Sequence, residues 1–326
     1  MQTQNGTRPQ TPNSSSDTLR SAMRAVETNL SSIIQGKSAD IELILIALAS
    51  GGHVLLEDAP GTGKTTLAKA IAASMDGIFR RVQFTPDLLP ADITGSSFYN
   101  PADGSFEFRP GPVFSNVLLA DEINRTSPRT QSALLEVMGE NQVSTDGKRH
   151  ALPLPFFVVA TQNPSDYAGT YPLPEAQLDR FMLRVSLGYP DAVAELSMLY
   201  AQNTHHPLED LRAVVSTQTI LDIQEEVKKV RFDEGVGEYV VRLIHATRGD
   251  SRLRIGLSPR GSLALYRTSQ ARAWWHGRDF VVPEDVRALA VPTLAHRLVL
   301  DTKARYGGAS SETIIGELLE SVAVPR

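Results

Sequence analysis

A glycine-rich stretch, LLEDAPGTGKTTL at residues 55–67, constrains this chain more than any other part of it. A short apolar run, His53 to Leu56, precedes its glycines, and a segment of helical composition, Lys64 to Met75, follows them. The order strand, loop, helix suits a phosphate-binding loop, because backbone NH groups and the positive end of the helix then point at one polyphosphate. The stretch therefore predicts a phosphate-binding loop in an α/β sheet.

The residue types within this loop each suit one task. Gly61 and Gly63 give the backbone its freedom to turn. Lys64 would reach the β and γ phosphates, and Thr65 would place its hydroxyl on a magnesium ion. The residues predicted to bind the nucleotide here are Asp58, Ala59, Pro60, Gly61, Thr62, Gly63, Lys64, Thr65 and Thr66.

One position departs from the strict pattern G-x-x-x-x-G-K-[ST], which has glycine six residues before the lysine. This chain has Asp58 at that position. We therefore expect the first turn of the loop to differ from the usual one. An acidic side chain near the mouth of an anion site also needs a partner of its own.

Two later strands are predicted to end in polar residues that belong to the same site. The apolar run Val117 to Ala120 is followed by Asp121 and Glu122. Beside a phosphate-binding loop, the first carboxylate can anchor magnesium and the second can activate water for attack on the γ phosphate. The run Phe156 to Ala160 predicts a central strand, and Asn163 after it could hold the attacking water or the γ phosphate. An asparagine that only forms a turn before Pro164 is the alternative.

An apolar pair followed by glycine lies before the nucleotide-binding stretch. Ile34 and Gly36 could form one wall of an adenine pocket. A plain turn between two helices explains them equally well.

Two arginines are predicted to lie at helix ends. Arg180 closes the segment PEAQLDR, and an arginine supplied by a neighbouring subunit can stabilise charge on a transferred phosphoryl group. Ser258 and Pro259 are a good helix start, which places Arg260 at a helix N-terminus. A cation there opposes the helix dipole, so a nearby anion would explain it. Either residue could instead be an ordinary solvated or salt-bridged surface arginine.

The composition is that of an ordinary soluble protein of about two domains. The chain has 326 residues and no cysteine, which excludes a disulfide framework and a thiolate metal site and fits a reducing compartment. Its net charge is −5, so the totals show no excess of basic residues of the kind that is typical of nucleic-acid-binding chains. The first residues are polar and lack the apolar centre that a secretion signal has. The most apolar helical segment, 41–49, is too short to span a membrane. We expect a cytoplasmic protein without membrane insertion.

The pattern along the chain divides it into three parts. Residues 1–16 predict a disordered tail. Residues 17–200 alternate strands with helices, and Asp-Gly turns predict hairpins inserted near 95–113 and 142–153. From 208 to 326 no strong strand pattern recurs, which predicts an all-α domain.

Taken together, these motifs resemble the MoxR family of AAA+ ATPases over Thr18 to Pro325. The specific stretches are LLEDAPGTGKTTLAKA, VQFTPDLLPADITG, FRPGPVF, LLADEINRTSPRTQSALLEVMGENQVSTDG, VVATQNPSDYAGTYPLPEAQLDRF and GLSPRGSLAL. Asp58 in place of the first glycine is usual in this family. The resemblance implies an α/β P-loop AAA+ core, with a parallel central sheet flanked by helices, and a smaller all-helical lid.

The resemblance also implies a role for each candidate residue. The matches are Lys64 and Thr65 to the nucleotide loop, Asp121 to the magnesium anchor, Glu122 to the water-activating base, Asn163 to sensor 1, Arg180 to an arginine finger acting in trans, and Arg260 to sensor 2. Arg125 and Arg129 are rival candidates for the finger. The hairpin at 95–113 resembles the insertion that groups this family with magnesium chelatases and minichromosome maintenance helicases.

The activity implied by this resemblance is magnesium-dependent ATP hydrolysis in a homo-oligomeric, hexamer-like ring. Such proteins act as chaperone-like remodellers of protein complexes, commonly with a von Willebrand factor A domain partner. A magnesium-chelatase motor subunit would share this chemistry, so the sequence leaves it open. A nucleic-acid translocase is disfavoured by the acidic net charge. A scaffold that binds ATP without turnover is disfavoured by the intact Glu122, Asn163 and Arg180.

Overall fold

The computed structural model describes residues 15–102, 104–163, 170–201 and 207–325. Its strands are β1 (Val54–Glu57), β2 (Phe79–Gln83), β3 (Gly95–Asn100), β4 (Ser105–Pro110), β5 (Val117–Asp121), β6 (Gln142–Thr145), β7 (Lys148–Ala151), β8 (Phe157–Gln162), β9 (Leu183–Val185), β10 (Leu253–Ile255) and β11 (Val299–Leu300). Its α-helices are α1 (Ser15–Ile33), α2 (Ser38–Ala49), α3 (Lys64–Ser74), α4 (Pro90–Thr94), α5 (Pro128–Glu140), α6 (Glu175–Leu178), α7 (Ala192–Ala201), α8 (Thr217–Val227), α9 (Glu234–Gly249), α10 (Pro259–Trp275), α11 (Pro283–Leu294), α12 (Thr302–Tyr306) and α13 (Ser311–Ser321).

Five strands form one parallel sheet in the order β2, β5, β8, β1, β9. The apolar runs of β1, β5 and β8 are buried apart from their last residues, as expected for strands covered on both faces. Because all five strands point the same way, their carboxyl ends lie along one edge of the sheet. The predicted fold class, a parallel sheet flanked by helices with a helical lid, is confirmed.

Two antiparallel ribbons are inserted between the strands of the sheet. One is formed by β3 and β4, with Tyr99 opposite Phe106, and the other by β6 and β7. Asp103, expected in the turn of the first ribbon, lies outside the described residues. The second ribbon packs on the first, because the His150 ring stacks on Phe108 with 3.9 Å between the ring centroids.

The two ends of the chain differ in detail from the predicted tail and all-helical domain. Residues 1–14 lie outside the described residues, and α1 already begins at Ser15, within the last two positions of the predicted tail. The C-terminal part is helical except for a small ribbon in which β10 pairs with β11. Strands of three and two residues are too short to leave an alternating pattern, which is why the sequence predicted none. The domain boundary near 200–208 stays a prediction.

The lid packs on helix α2 and on the edge strand β9. One hydrophobic cluster contains residues of α2, such as Leu45, together with Leu243, Trp274 and Leu294 of the lid. Helix α10 contacts α2, and α11 contacts β9. This packing fixes where the lid arginines can reach. Among the helices in the described part of the chain, none is long and apolar enough to cross a membrane.

A buried histidine joins three parts of the core. The backbone NH of Val158 donates to Nδ1 of His53 over 3.1 Å, and Nε2 faces the carbonyl of Met138 at 3.2 Å. Accepting at Nδ1 requires the neutral ring, so Nε2 carries the proton. Burial lowers the pKa of His53 to about 4.

We expect His53 to make the protein less stable in mild acid. The pKa is about 6.5 in the unfolded chain and about 4 in the folded one, so this contribution is complete above pH 6.5 and is lost as the pH falls toward 4. Between pH 7 and pH 5 the loss should be about 2 kcal/mol. Urea unfolding at both pH values would measure it. In His53→Gln the pH dependence should be smaller by that amount, and an unchanged slope would contradict the assignment.

Candidate nucleotide-binding site

A cavity of about 420 Å³ lies at the carboxyl edge of the sheet, where the loop after β1 meets the ends of β5 and β8. Its lining contains most of the residues that the sequence predicted. They are Pro60, Gly61, Thr62, Gly63, Lys64, Thr65, Thr66, Asp121, Glu122 and Asn163, together with Arg81, Gln83, Thr161 and Gln162. The structure therefore brings the loop, both acidic residues and Asn163 into one site.

The loop has the backbone geometry of an anion cradle. Gly61 and Gly63 both have φ near +86°, a left-handed conformation that strains other residues. Gly63 is the N-cap of α3 and provides no side-chain cap. The first NH groups of α3 therefore remain available for an anion in the cavity.

Lys64 bends back over its own loop. Its Nζ donates to the carbonyl oxygens of Asp58 at 2.9 Å and Ala59 at 2.8 Å. These are neutral acceptors, and phosphate oxygens are stronger partners for an ammonium group. The lysine is therefore positioned to exchange the two carbonyls for a polyphosphate.

Asp58 is buried, with 4% of its surface exposed, and its carboxylate has three donors. Ser186 Oγ donates over 2.8 Å, the Leu187 NH over 2.7 Å and the Gly188 NH over 2.8 Å. These are the partners that the sequence required for an acidic residue in place of glycine. They come from the segment after β9, more than 120 positions away, so no local pattern could identify them.

The two carboxylates at the end of β5 have distinct surroundings. Asp121 accepts from Thr161 at Oδ1 and from Arg81 at Oδ2, each at 2.6 Å. Glu122 Oε2 accepts from Gln83 Nε2 over 2.7 Å and lies 3.2 Å from Arg125 Nη1.

A left-handed turn at Glu122, with φ +56°, follows the end of the strand. The Glu122 NH donates to Thr161 Oγ1 over 2.9 Å, which fixes this turn. A left-handed conformation costs a non-glycine residue about 1–2 kcal/mol, and a turn held in this way is typical of functional sites.

Sequence reasoning missed Arg81 and Gln83. Both are on β2, two positions apart, so they lie on the same face of the strand. Gln83 pairs with Asp121 in the sheet register. The alternation in FRRVQ was a usable signal, but only once β2 was known to neighbour β5.

The predicted adenine-side residues lie beside the loop without lining the cavity described above. The Cδ1 atom of Ile34 lies 3.4 Å from the position that a Cβ on Gly63 would occupy. Gly36 has φ +73°, and a Cβ there would lie 3.2 Å from the Cβ of Ala194 on α7. Their role in adenine binding stays a prediction.

The structure does not bring Arg180 and Arg260 to the loop cavity. Both line a second cavity of about 350 Å³, together with Arg267 and Arg297. Arg180 donates from Nη1 to the carbonyl of Leu135 over 2.7 Å. Arg260 is exposed, and its guanidinium has no hydrogen-bond or ion-pair partner among the described residues. Of the rival finger candidates, Arg125 pairs with Glu122 of its own chain, and Arg129 is exposed.

A buried ion pair explains why these two arginines are neighbours. Asp179, the residue before Arg180, is paired with the buried Arg297 of the lid and accepts from Ser258 Oγ over 2.9 Å. Arg297 also donates to the carbonyl of Phe181 over 2.6 Å. Ser258 is the N-cap of α10 and accepts from the Arg260 NH, as predicted for this helix start. The turn with Arg180 and the first turn of α10 are thus fastened together.

Comparisons with known proteins agree with this geometry. The model of the ATPase family associated with various cellular activities (AAA) matches residues 53–183, and that of the AAA lid domain matches 245–318. An uncharacterised protein of Bacillus subtilis, YeaC, is 49% identical over 93% of this chain and 94% of its own length. Chaperone MoxR1 of Mycobacterium tuberculosis is 41% identical over 90% of this chain and 80% of its own length. The crystal structure of a protein assigned as an ATPase in Cytophaga hutchinsonii superposes with a TM-score of 0.89, at 40% identity, over 95% of this chain and 97% of that one.

Proposed function

We propose, because this chain belongs to the MoxR family of AAA+ ATPases, that its loop cavity binds ATP and hydrolyses it to ADP and phosphate in the presence of Mg²⁺. The observation that carries the proposal is a single cavity that holds the loop, Asp121 and Glu122, and Asn163. A phosphate cradle alone would support binding. The neighbouring carboxylates and amide add what hydrolysis requires.

The residues of the cavity fit a magnesium ion. Thr65 offers a hydroxyl oxygen and Asp121 a carboxylate oxygen in the same cavity, and Mg²⁺ prefers such ligands. When bound, the ion would neutralise charge on the β and γ phosphates. Without it, the charge of Asp121 is met by Arg81. We infer that Arg81 gives up part of this contact when ATP and Mg²⁺ are bound.

Glu122 is placed to act as the general base. Gln83 and Arg125 both contact Oε2, and these contacts orient the carboxylate. A water held by Asn163 would give its proton to Glu122 as its oxygen attacks the γ phosphorus, and the bond from that phosphorus to the β–γ bridging oxygen would break, so that ADP leaves. Lys64 and the NH groups at the start of α3 would hold the phosphates during that step.

Arg180 and Arg260 are proposed to act on the nucleotide of a neighbouring copy. They line a different cavity from the loop of their own chain, so they reach a γ phosphate more readily from a neighbouring subunit. Two cations on one surface would stabilise the charge that develops on the transferred phosphoryl group. This supports a homo-oligomer with shared sites, for which we propose a hexameric ring.

The biological role that we propose is chaperone-like remodelling of protein complexes in the cytoplasm. The relative from Mycobacterium tuberculosis is named a chaperone, and it is 41% identical to this chain over a match that covers 90% of the chain. We propose a protein client and a partner with a von Willebrand factor A domain. The net charge of −5 favours protein over nucleic-acid substrates.

Lys64→Ala is expected to abolish most nucleotide binding. The variant loses the charged donor to the β and γ phosphates, so the Kd for ATP should rise by about 10- to 100-fold. Titration with a fluorescent ATP analogue would measure it. Lys69→Ala is the matched control, because Lys69 is an exposed lysine on the same helix and outside the cavity. Equal affinity of both variants would contradict the proposed binding site.

A further inference from the structure

Residues 186–189 form a short connector, and each end of this connector contacts a residue near the loop cavity. It follows β9 and leads into α7, after which the lid helices begin. Its first three residues donate to Asp58 at the start of the phosphate loop. Its last residue, Tyr189, accepts from Lys37 Nζ over 2.9 Å through its carbonyl.

The hydrogen bonds between the connector and Asp58 leave little freedom for relative movement. Three donors converge on one buried carboxylate, two of them backbone NH groups, so the loop and the connector are held in a single arrangement. Gly188 has φ +60°, a left-handed turn that directs its NH to Asp58. The NH of Asp58 lies 3.3 Å from the carbonyl of Gln162, which ties the same residue to the end of β8.

The contact with Lys37 joins the connector to the adenine side. Lys37 directly follows Gly36, whose Cβ position would lie 3.2 Å from Ala194 on α7. The turn before α2 and the start of α7 are therefore in direct contact. The connector is thus bonded at one end to the predicted phosphate site and at the other to the predicted adenine site.

The contact of Lys64 with Asp58 would change on nucleotide binding. Lys64 Nζ donates to the carbonyls of Asp58 and Ala59. A triphosphate in the cavity competes for the same ammonium group, which then leaves the two carbonyls. The backbone of Asp58 loses this contact while its side chain keeps the connector.

We propose that Asp58 is a positioning residue that transmits occupancy of the phosphate site to the connector and to α7. The loss of the Lys64 contact shifts the backbone of Asp58, and the three hydrogen bonds carry that shift to residues 186–188. Helix α7 follows because it begins four residues later. This inference rests on the proposed function, since it needs a nucleotide in the loop cavity. It adds a route by which the lid side of the chain would detect that nucleotide.

A label on α7 tests the proposal directly. The chain has no cysteine, so Val193→Cys provides one attachment point on α7, at a side chain that is 80% exposed. The label is a nitroxide, whose spectrum reports on motion of the helix. Glu122→Gln is included in every protein, so that ATP stays intact. Saturation with ATP is verified with a fluorescent analogue in each protein.

With Asp58 intact, saturating ATP is expected to change the nitroxide spectrum. In Asp58→Asn at saturating ATP, less than a third of that change should remain, because an amide cannot accept from three donors as a carboxylate does. Ser186→Ala removes one donor and leaves Asp58 in place, so it should give an intermediate change. This milder variant decides the question if Asp58→Asn does not fold.

Three results have distinct meanings. A full spectral change in both Asp58→Asn and Ser186→Ala would overturn the role of Asp58. No spectral change in the chain with Asp58 intact, although ATP is bound, would overturn transmission to α7. A failure of the fluorescent analogue to bind even with Asp58 intact would instead overturn the proposed function.

Discussion

Glu122→Gln is expected to bind ATP about as well as the unaltered chain and to hydrolyse it about 100- to 10,000-fold more slowly. Glutamine matches glutamate in shape, so Gln83 can still donate to its oxygen and the left-handed turn at residue 122 is kept. It cannot accept a proton from water. Single-turnover hydrolysis of ATP, measured together with the Kd, separates the two effects.

Glu136→Gln is the matched control for this variant. Glu136 is an exposed glutamate on α5, outside the loop cavity, so its replacement should leave both binding and turnover unchanged. If Glu122→Gln kept normal turnover, the general base would have to be another residue. If it lost ATP binding as well, its carboxylate would be part of the binding site and not of the chemical step alone.

Arg180→Ala is expected to leave ATP binding intact and to lower hydrolysis by about 1,000-fold or more. The side chain lies at the wall of the second cavity and donates to one carbonyl, so its removal should cost little stability. The loss should come from charge left unneutralised on the phosphoryl group in a neighbouring subunit.

Mixing two inactive variants tests whether Arg180 acts between subunits. An Arg180→Ala chain keeps its own Glu122, and a Glu122→Gln chain keeps its own Arg180. When the two are neighbours in the right order, one complete site forms, so a mixture should regain part of the activity. A mixture as inactive as its components would refute action in trans. Arg129→Ala, mixed in the same way, tests one of the two rival arginines.

The sequence was sufficient for the three central strands of the sheet and for most of the loop cavity, because these depend on local patterns. An apolar run that ends in a polar residue predicts both a buried parallel strand and the side of the sheet where its last residue lies. Asp121 and Asn163 were found in this way, and both line the cavity with the loop. The glycines of the loop were recognised because their positive φ angles restrict the residue type.

The sequence was not sufficient where contacts come from distant segments. The donors to Asp58 lie after β9, and nothing in their own residues marks them as partners of a carboxylate. The position of Arg260 depends on how the lid packs against α2 and β9, which helical periodicity does not determine. Gln83 was missed because strand order, and not strand identity, places it beside Glu122.

The buried ion pair of Arg297 with Asp179 has a consequence for how the subunits of an assembly would be coupled. The pair lies between the lid and the turn that carries Arg180, so a tilt of the lid should carry that turn with it. Two chains would then contact each nucleotide site, one through its phosphate-binding loop and the other through its lid. A signal passed on in this manner has a direction, because what one chain receives at its loop it delivers at its opposite face. In a ring of identical subunits, this directional coupling would favour sequential ATP hydrolysis over simultaneous hydrolysis at all sites.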